Sequence, residues 1–329
     1  MKFIVFPGQA SQYSGMGKDW FDNFKAAKSV FEEASDSCSL NLKKLCFEGS
    51  EADLKSTEIT QPAILTTCIA IWRSLGELMD VDALVKNSLF AGHSLGEYSA
   101  LVAAGVVDLS AAVSFVNKRG MAMQEAVPAG QGGMMALLFK PRSENTLEVA
   151  KDLCEKASKL SESNVWLANV NGAEQIVVAG STKALKAAQV LANEGDNQIR
   201  QAVPLEVSAP FHCPMMSPAA DKLKPLIDET VMHASSARYV SNVDAKVYSL
   251  ESDFDGVKQR LFDQISSPVL WWQSAQTALN EGCELALEVG PKKVLSSLCR
   301  RVESNGKKFK TVNLDRREDW EIVQSSLGS

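Results

Sequence analysis

The segment LFAGHSLGEYSALVAAG, residues 89–105, sets Ser94 between Gly92 and Gly96 where an apolar strand pattern gives way to a helical one. A serine there suits a nucleophile elbow, a turn so tight that only glycine at the flanking positions lets strand and helix approach. Its hydroxyl would stand clear of the backbone. The amides that follow, together with the positive end of the helix, favour negative charge developing beside it. The alternative is a Gly-Ser-Gly turn chosen for flexibility alone.

A serine nucleophile needs a base, and the chain holds three histidines. His93 adjoins Ser94, but on a strand leading into the elbow its side chain should point to the opposite face. His233, in ETVMHASSARY, lies at a polar helix end and reads as a solvated bystander. His212 sits between Pro210 and Pro214 in SAPFHCPMM, a loop of the kind that carries function more often than structure. Near the N-terminus, FPGQASQ follows the first strand, and a glycine-containing loop there can turn the Gln9 amide toward the elbow as an oxyanion donor. An α/β-hydrolase would order its triad Ser, Asp or Glu, His and carry an HGGG-type loop. This chain has no HGGG, and His212 falls far from the C-terminus.

Around these residues strands and helices alternate. KFIVFPG predicts a short buried strand, and Trp20, Phe24, Ala27 and Phe31 follow at helical spacing. Residues 62–78 predict an apolar helix with Pro62 in its first turn, where a missing N–H costs nothing. The strand SLFAG, the elbow, its helix and a further helix from near Asp108 that carries Arg119 come next. This order indicates a parallel sheet covered on both faces. The rhythm changes at VPAGQGG. MMALLF predicts a strand, 143–160 a helix, VWLANV and QIVVAG a hairpin turning at Asn171-Gly172, 182–194 a helix and IRQAVPL a strand. That βαββαβ order is ferredoxin-like. The expectation is an α/β, hydrolase-like core of residues 1–126 and 205–329, with an inserted ferredoxin-like subdomain at 127–204.

The 329 residues, 45% hydrophobic and 22% charged, are ordinary for a soluble globular protein. A net charge of −6 argues against nonspecific nucleic-acid binding. No apolar stretch reaches membrane-spanning length, and the apolar run ended by Pro7 and Gly8 is too short for a signal peptide. Seven cysteines without a C-x-x-C pair argue against a disulfide framework and a zinc site, and place the chain in a reducing cytoplasm.

FPGQASQ (6–12), TQPAIL (60–65), GHSLGEYSALVAAG (92–105), KRGMAMQ (118–124), APFHCPMM (209–216), SNVDA (241–245), SSPVLW (266–271) and EVGPKKVL (288–295) together resemble the malonyl-CoA:acyl carrier protein transacylases. The likeness extends to the acyltransferase domains of fatty acid and polyketide synthases, and it runs in order from residue 3 to about 300. Ala10 departs from it, standing where a glycine is usual; a methyl group is tolerated there if the backbone φ is negative. The resemblance implies Ser94 as the acylated nucleophile, His212 as its base, and a backbone carbonyl near Gln264 orienting the imidazole. Backbone amides of Gln9 and Leu95 would form the oxyanion hole, and Arg119 would grip the malonyl carboxylate through two parallel N–H donors. Gln61, Asn169 and Phe211 would complete the substrate pocket. Phe211 before the histidine and Leu95 after the serine point to malonyl over methylmalonyl.

The implied reaction is a ping-pong transfer from malonyl-CoA to the phosphopantetheine thiol of an acyl carrier protein, with no metal or redox cofactor. An acidic carrier needs a basic patch, and Lys292, Lys293, Arg300, Arg301, Lys307, Lys308 and Lys310 supply one, broken only by Glu303. An ordinary solvated helix face is the other reading of that stretch. Two rivals stay open: a thioesterase or esterase on the same elbow, and a noncatalytic carrier-docking homologue.

Overall fold

Strand β1 (Lys2–Phe6) carries no polar residue after Lys2 because both of its faces are covered. Phe3 and Val5 pack with Trp271, Ala275 and Leu279, while Ile4 and Phe6 enter the larger core of Ile64, Ile71, Trp72 and Phe90. The computed structural model describes residues 1–194, 198–207 and 209–328. The remaining strands are β2 (Ser88–Gly92), β3 (Gly132–Phe139), β4 (Val165–Gly172), β5 (Gln175–Ser181), β6 (Ile199–Pro204), β7 (Arg238–Val240), β8 (Val247–Ser249), β9 (Leu285–Val289), β10 (Glu303–Ser304), β11 (Lys307–Lys308) and β12 (Lys310–Leu314). The main sheet runs β12-β9-β1-β2-β7-β8. It is parallel except at its edge, where β8 turns back antiparallel on β7.

Between β2 and β7 in the chain lies the second sheet, ordered β4-β5-β3-β6 and antiparallel throughout. Helices Thr146–Ser161 and Thr182–Glu194 cover it, setting Ala150, Ala157, Ala184 and Ala188 against Leu137, Ile176 and Val178. This is the ferredoxin-like βαββαβ arrangement. Its hairpin turns at Ala173 and Glu174, two residues later than the Asn171-Gly172 expected from sequence. Asn171 remains in β4 because its side chain is engaged, bonding His93 at 2.9 Å and Gln175 at 3.3 Å.

The helix expected at 62–78 spans Thr57–Leu75 instead, so Pro62 lies inside it and not in its first turn. Pro62 cannot donate to the carbonyl of Glu58. The Asn117 side-chain amide supplies the missing donor to that oxygen at 2.9 Å. Asn117 can reach it because helix Leu109–Glu125 crosses here at Gly120, where a Cβ would stand 2.6 Å from the Cα of Glu58. The aromatic spacing near the N-terminus is likewise split, into helices Lys18–Asn23 and Lys25–Cys38 with an extended Phe24 between them.

Candidate active site

Ser94 lies two residues past β2, capping helix Leu95–Ala103, with φ 53° and ψ −108°, a conformation outside the ordinary regions for a side chain with a Cβ. The two glycines explain how the turn fits. A Cβ on Gly92 would lie 1.9 Å from the carbonyl carbon of Gly96, and one on Gly96 would lie 2.0 Å from the carbonyl oxygen of Phe6. Asn242 holds the turn from beyond β7. Its Oδ1 accepts from the Ser94 amide at 2.8 Å, and its Nδ2 donates to the Gly92 carbonyl at 2.7 Å.

His212 reaches the elbow from the loop after β6. Its Nε2 is 2.7 Å from Ser94 Oγ, and its Nδ1 is 3.0 Å from the carbonyl oxygen of Gln264. A carbonyl only accepts, so Nδ1 carries the proton and Nε2 is free to accept from the serine hydroxyl. Burial, and next the charge of Arg119, pull this imidazole down to about 3, so it is neutral at ordinary pH. The dyad therefore assembles across 118 residues of sequence. Among the described residues no carboxylate orients the ring; the Gln264 carbonyl does.

Arg119 is 1% exposed on helix Leu109–Glu125 and points at the same serine. Its guanidinium donates to Gln61 Oε1 at 2.8 Å, Gln264 Oε1 at 2.9 Å and Ser94 Oγ at 3.2 Å, and lies over the Tyr98 ring. Its Nε has no hydrogen-bond partner among the described residues. Desolvation works against the charge, yet an arginine in a protein stays protonated.

These groups border a cleft of about 150 Å³ lined by Gln9, Gln61, His93, Asn169, Phe211 and His212 among others, with Met123 and Met134 supplying apolar wall. The Gln9 loop is pressed onto the elbow, since a Cβ on Gly8 would stand 2.4 Å from the His93 carbonyl oxygen. Among the described residues neither the Gln9 nor the Leu95 amide makes a backbone hydrogen bond as donor. Both remain available to a ligand. Asn169 reaches the cleft at an irregularity in β4, where it bridges to Val269, so the second sheet forms one wall.

Ala10 overturns one expectation: its φ is +83°, the left-handed region that favours glycine. His93 leans on Trp271, on the face opposite Phe90, yet its ring still borders the cleft while Nε2 faces Asn171. His233 is exposed and 3.2 Å from Asp108, remote from the cleft. The basic stretch does not form one helix face: Lys293 and Arg300 flank helix Val294–Cys299, Lys307 and Lys308 form β11, and Lys310 opens β12. Sequence reasoning gave no part in the site to Glu97, Asn171 or Asn242, and to Asn171 only a place in the hairpin turn. Glu97 had a signal, because i+3 from Ser94 on a helix is the same face; the others are joined to the elbow by folding alone.

A profile of the acyl transferase domain family matches residues 3–320. The malonyl CoA-acyl carrier protein transacylase of Bacillus subtilis (strain 168) is 40% identical over 98% of this chain and 96% of its own length. The acyl-carrier-protein-S-malonyltransferase of Bartonella henselae superposes with a TM-score of 0.90 at 35% identity, covering 100% of both chains. A malonyl-transacylase solved in complex with a type II PKS acyl-carrier protein gives 0.89 at 33% identity, over 99% of this chain and 100% of that one. With matches of that length resting on an elbow, a histidine and a buried arginine already in contact, the chain belongs to the acyl transferase domain family.

Proposed function

We propose that this chain transfers a malonyl group from malonyl-CoA to the phosphopantetheine thiol of an acyl carrier protein, for fatty acid or polyketide synthesis, through a malonyl ester of Ser94. Relatives named for that reaction support the activity. In the first half-reaction Ser94 Oγ attacks the thioester carbon while His212 Nε2 takes its proton. The oxyanion turns toward the amides of Gln9 and Leu95, and CoA leaves with the proton from His212. The carrier thiol then gives its proton to His212 and attacks the ester, and Ser94 leaves with that proton restored.

Arg119 is the observation that carries the malonyl assignment. It is a buried guanidinium aimed at the nucleophile, and among the described residues it donates to a serine and two glutamines and to no carboxylate. A buried cation with no carboxylate hydrogen-bonded to it is costly, and the nearby Glu97 only partly offsets its charge. A malonyl carboxylate supplies the counter-ion in planar, two-pronged geometry. It also relieves the repulsion that Arg119 exerts on a protonated His212, so substrate binding makes the base stronger. Phe211, which lines the cleft, narrows the space for an α-methyl, a preference worth roughly 1–3 kcal/mol.

Arg119→Ala tests the assignment. Truncating one partner of a buried charge pair costs on the order of 2–5 kcal/mol, roughly 30- to several thousand-fold. Malonyl-CoA kcat/KM should fall by that factor, with acetyl-CoA equal or improved. An unchanged malonyl-to-acetyl ratio would leave Arg119 without a part in recognition and return the field to a general serine esterase.

The carrier docks, in this reading, beside Lys292, Lys293, Arg300 and Arg301, all exposed. Lys292 Nζ donates to the carbonyl of the cleft-lining Ala10 at 3.2 Å, and Arg301 lies 3.7 Å from Glu174 at a neighbouring pocket that Asn171 borders. The catalytic core is taken as 1–126 with 205–329, and the inserted unit as 127–204. Seven unpaired cysteines support a cytoplasmic location. Among the described residues no helix is long and apolar enough to cross a membrane.

A further inference from the structure

Glu97 is fully buried, and no step of the transfer uses it. It stands one turn into helix Leu95–Ala103, on the same face as Ser94. Its oxygens only accept when ionised. Oε2 takes an N–H of the Gln264 side chain at 2.7 Å, and Oε1 takes the backbone N–H of Asn242 at 3.3 Å. The Gln264 amide also donates to the Ser94 carbonyl at 2.9 Å. Its oxygen is thereby left facing Arg119, whose NH2 donates to it at 2.9 Å.

A carboxamide can be turned over with almost no change of shape, and nothing steric in Gln264 prevents it. Turned over, its N–H groups would meet the Arg119 donors in a buried site, and its oxygen would face an acceptor. Both contacts leave buried polar groups unpaired. The acceptor-only carboxylate at position 97, with the Ser94 carbonyl beside it, excludes that state. The geometry points to Glu97 as a positioning residue: its carboxylate fixes the Gln264 amide so that Gln264 holds the Arg119 guanidinium in the pose that receives the malonyl carboxylate. This rests on the reading of Arg119 as the malonyl clamp.

Titration offers a readout that needs no variant. Burial pushes the Glu97 carboxyl up to about 7. The groups that face it from other elements are Arg119, Arg260 and Tyr239, with Tyr98 beside it on its own helix. The arginines stay cationic, and burial pushes both phenols upward. His212 and His93 are both pulled down by burial. Of these groups only Glu97 changes charge near neutrality. Protonation removes the charge that grips the Gln264 N–H, which loosens the amide although the Ser94 carbonyl still accepts from it. The chemistry of Ser94 and His212 is common to both acyl groups and cancels in a ratio.

The test measures kcat and KM for malonyl-CoA and acetyl-CoA in wild type, Glu97→Gln, Arg119→Ala and the double variant, from pH 6 to 8. The wild-type malonyl-to-acetyl ratio of kcat/KM should fall severalfold as pH drops. Glu97→Gln should lower it at least fivefold at pH 8 and abolish the pH dependence. In the Arg119→Ala background Glu97→Gln should leave the ratio where it was. Equal losses for both substrates, or a further drop in the ratio in the double variant, would make Glu97 a purely structural group and overturn the inference. If Arg119→Ala shifts the ratio but Glu97→Gln does not, the clamp stands and this inference falls. If Arg119→Ala leaves the ratio unchanged, both fall. Should Glu97→Gln not fold, the wild-type series decides, and a flat ratio from pH 6 to 8 is the overturning result.

Discussion

Ala10, Ser94 and His212 hold φ values of 83°, 53° and 59° without being glycine, and all three line one cleft. Each such conformation costs of order 1–3 kcal/mol and persists only where the surroundings hold it. Asn242 holds Ser94, the Gln264 carbonyl holds His212, and Lys292 holds the Ala10 carbonyl. The His212 environment has a kinetic consequence. A base that protonates only near pH 3 should give a rate that stays level through the range where a free histidine titrates. Inactivation of Ser94 by a neutral sulfonyl fluoride should be constant from pH 8 down to about 5. Arg119→Ala, which removes the second cause of the depression, should move the acid limb upward. A wild-type limb at about 6.5 would mean that burial does not control the imidazole.

At the scale of elements, short close approaches position the site. The elbow helix meets β1 at Gly96, and the Arg119 helix meets Thr57–Leu75 at Gly120, so the guanidinium arrives at a fixed depth. On β9 the buried Glu288 accepts from the amides of Leu295 at 3.0 Å and Ser296 at 2.7 Å, tying helix Val294–Cys299 to the sheet. Burial outweighs those donors and pushes its carboxyl up to about 7. An acid whose folded pKa is raised contributes most below its unfolded pKa and loses that contribution as pH rises through the folded value. The stability margin of wild type over Glu288→Gln, from urea unfolding, should therefore shrink between pH 5 and 8. The change should be roughly 2–3 kcal/mol, at ~1.4 kcal/mol per unit of pKa. A margin that widens with pH would show the ionised cap dominating.

Across the whole molecule, the cleft lies where the two sheets meet. β4 bonds the loop after Gln264 through Val170 and Val269, each donating at 2.9 Å, and Asn171 meets His93 beside the elbow. Lys292 and Arg301 lie beside that junction, which gives the proposed carrier docking a test. Reversing Arg300 and Arg301 to glutamate should raise KM for the carrier roughly tenfold at low salt. The effect should fade near 0.5 M salt, because exposed charges are screened. Acylation by malonyl-CoA should change less. The Lys292 and Lys293 pair should disturb acylation more than the arginine pair, because Lys292 also holds the loop carrying Gln9. Equal, salt-independent loss in both half-reactions for the arginine pair would place docking elsewhere.

Local chemistry made much of this legible in the sequence. Glycines flanking Ser94 announce a tight strand-to-helix turn, alternating apolar segments announce a covered parallel sheet, and the βαββαβ order announces the inserted unit. The motif resemblance brought Arg119 and His212 to the serine. Position 10 misled, because a residue type does not report its own φ and the loop around it is set by contacts with Lys292 and the elbow. Pro62 misled likewise, since only the crossing at Gly120 brings Asn117 to the carbonyl that proline leaves unpaired. The hydrogen-bond chain from Glu97 through Gln264 to Arg119 joins three segments distant in sequence. Periodicity and propensity are short-range and carry the sequence reading to the elements and the reacting residues. Which buried donor faces which acceptor is settled only when distant segments share one dry space, and that the tertiary structure alone decides.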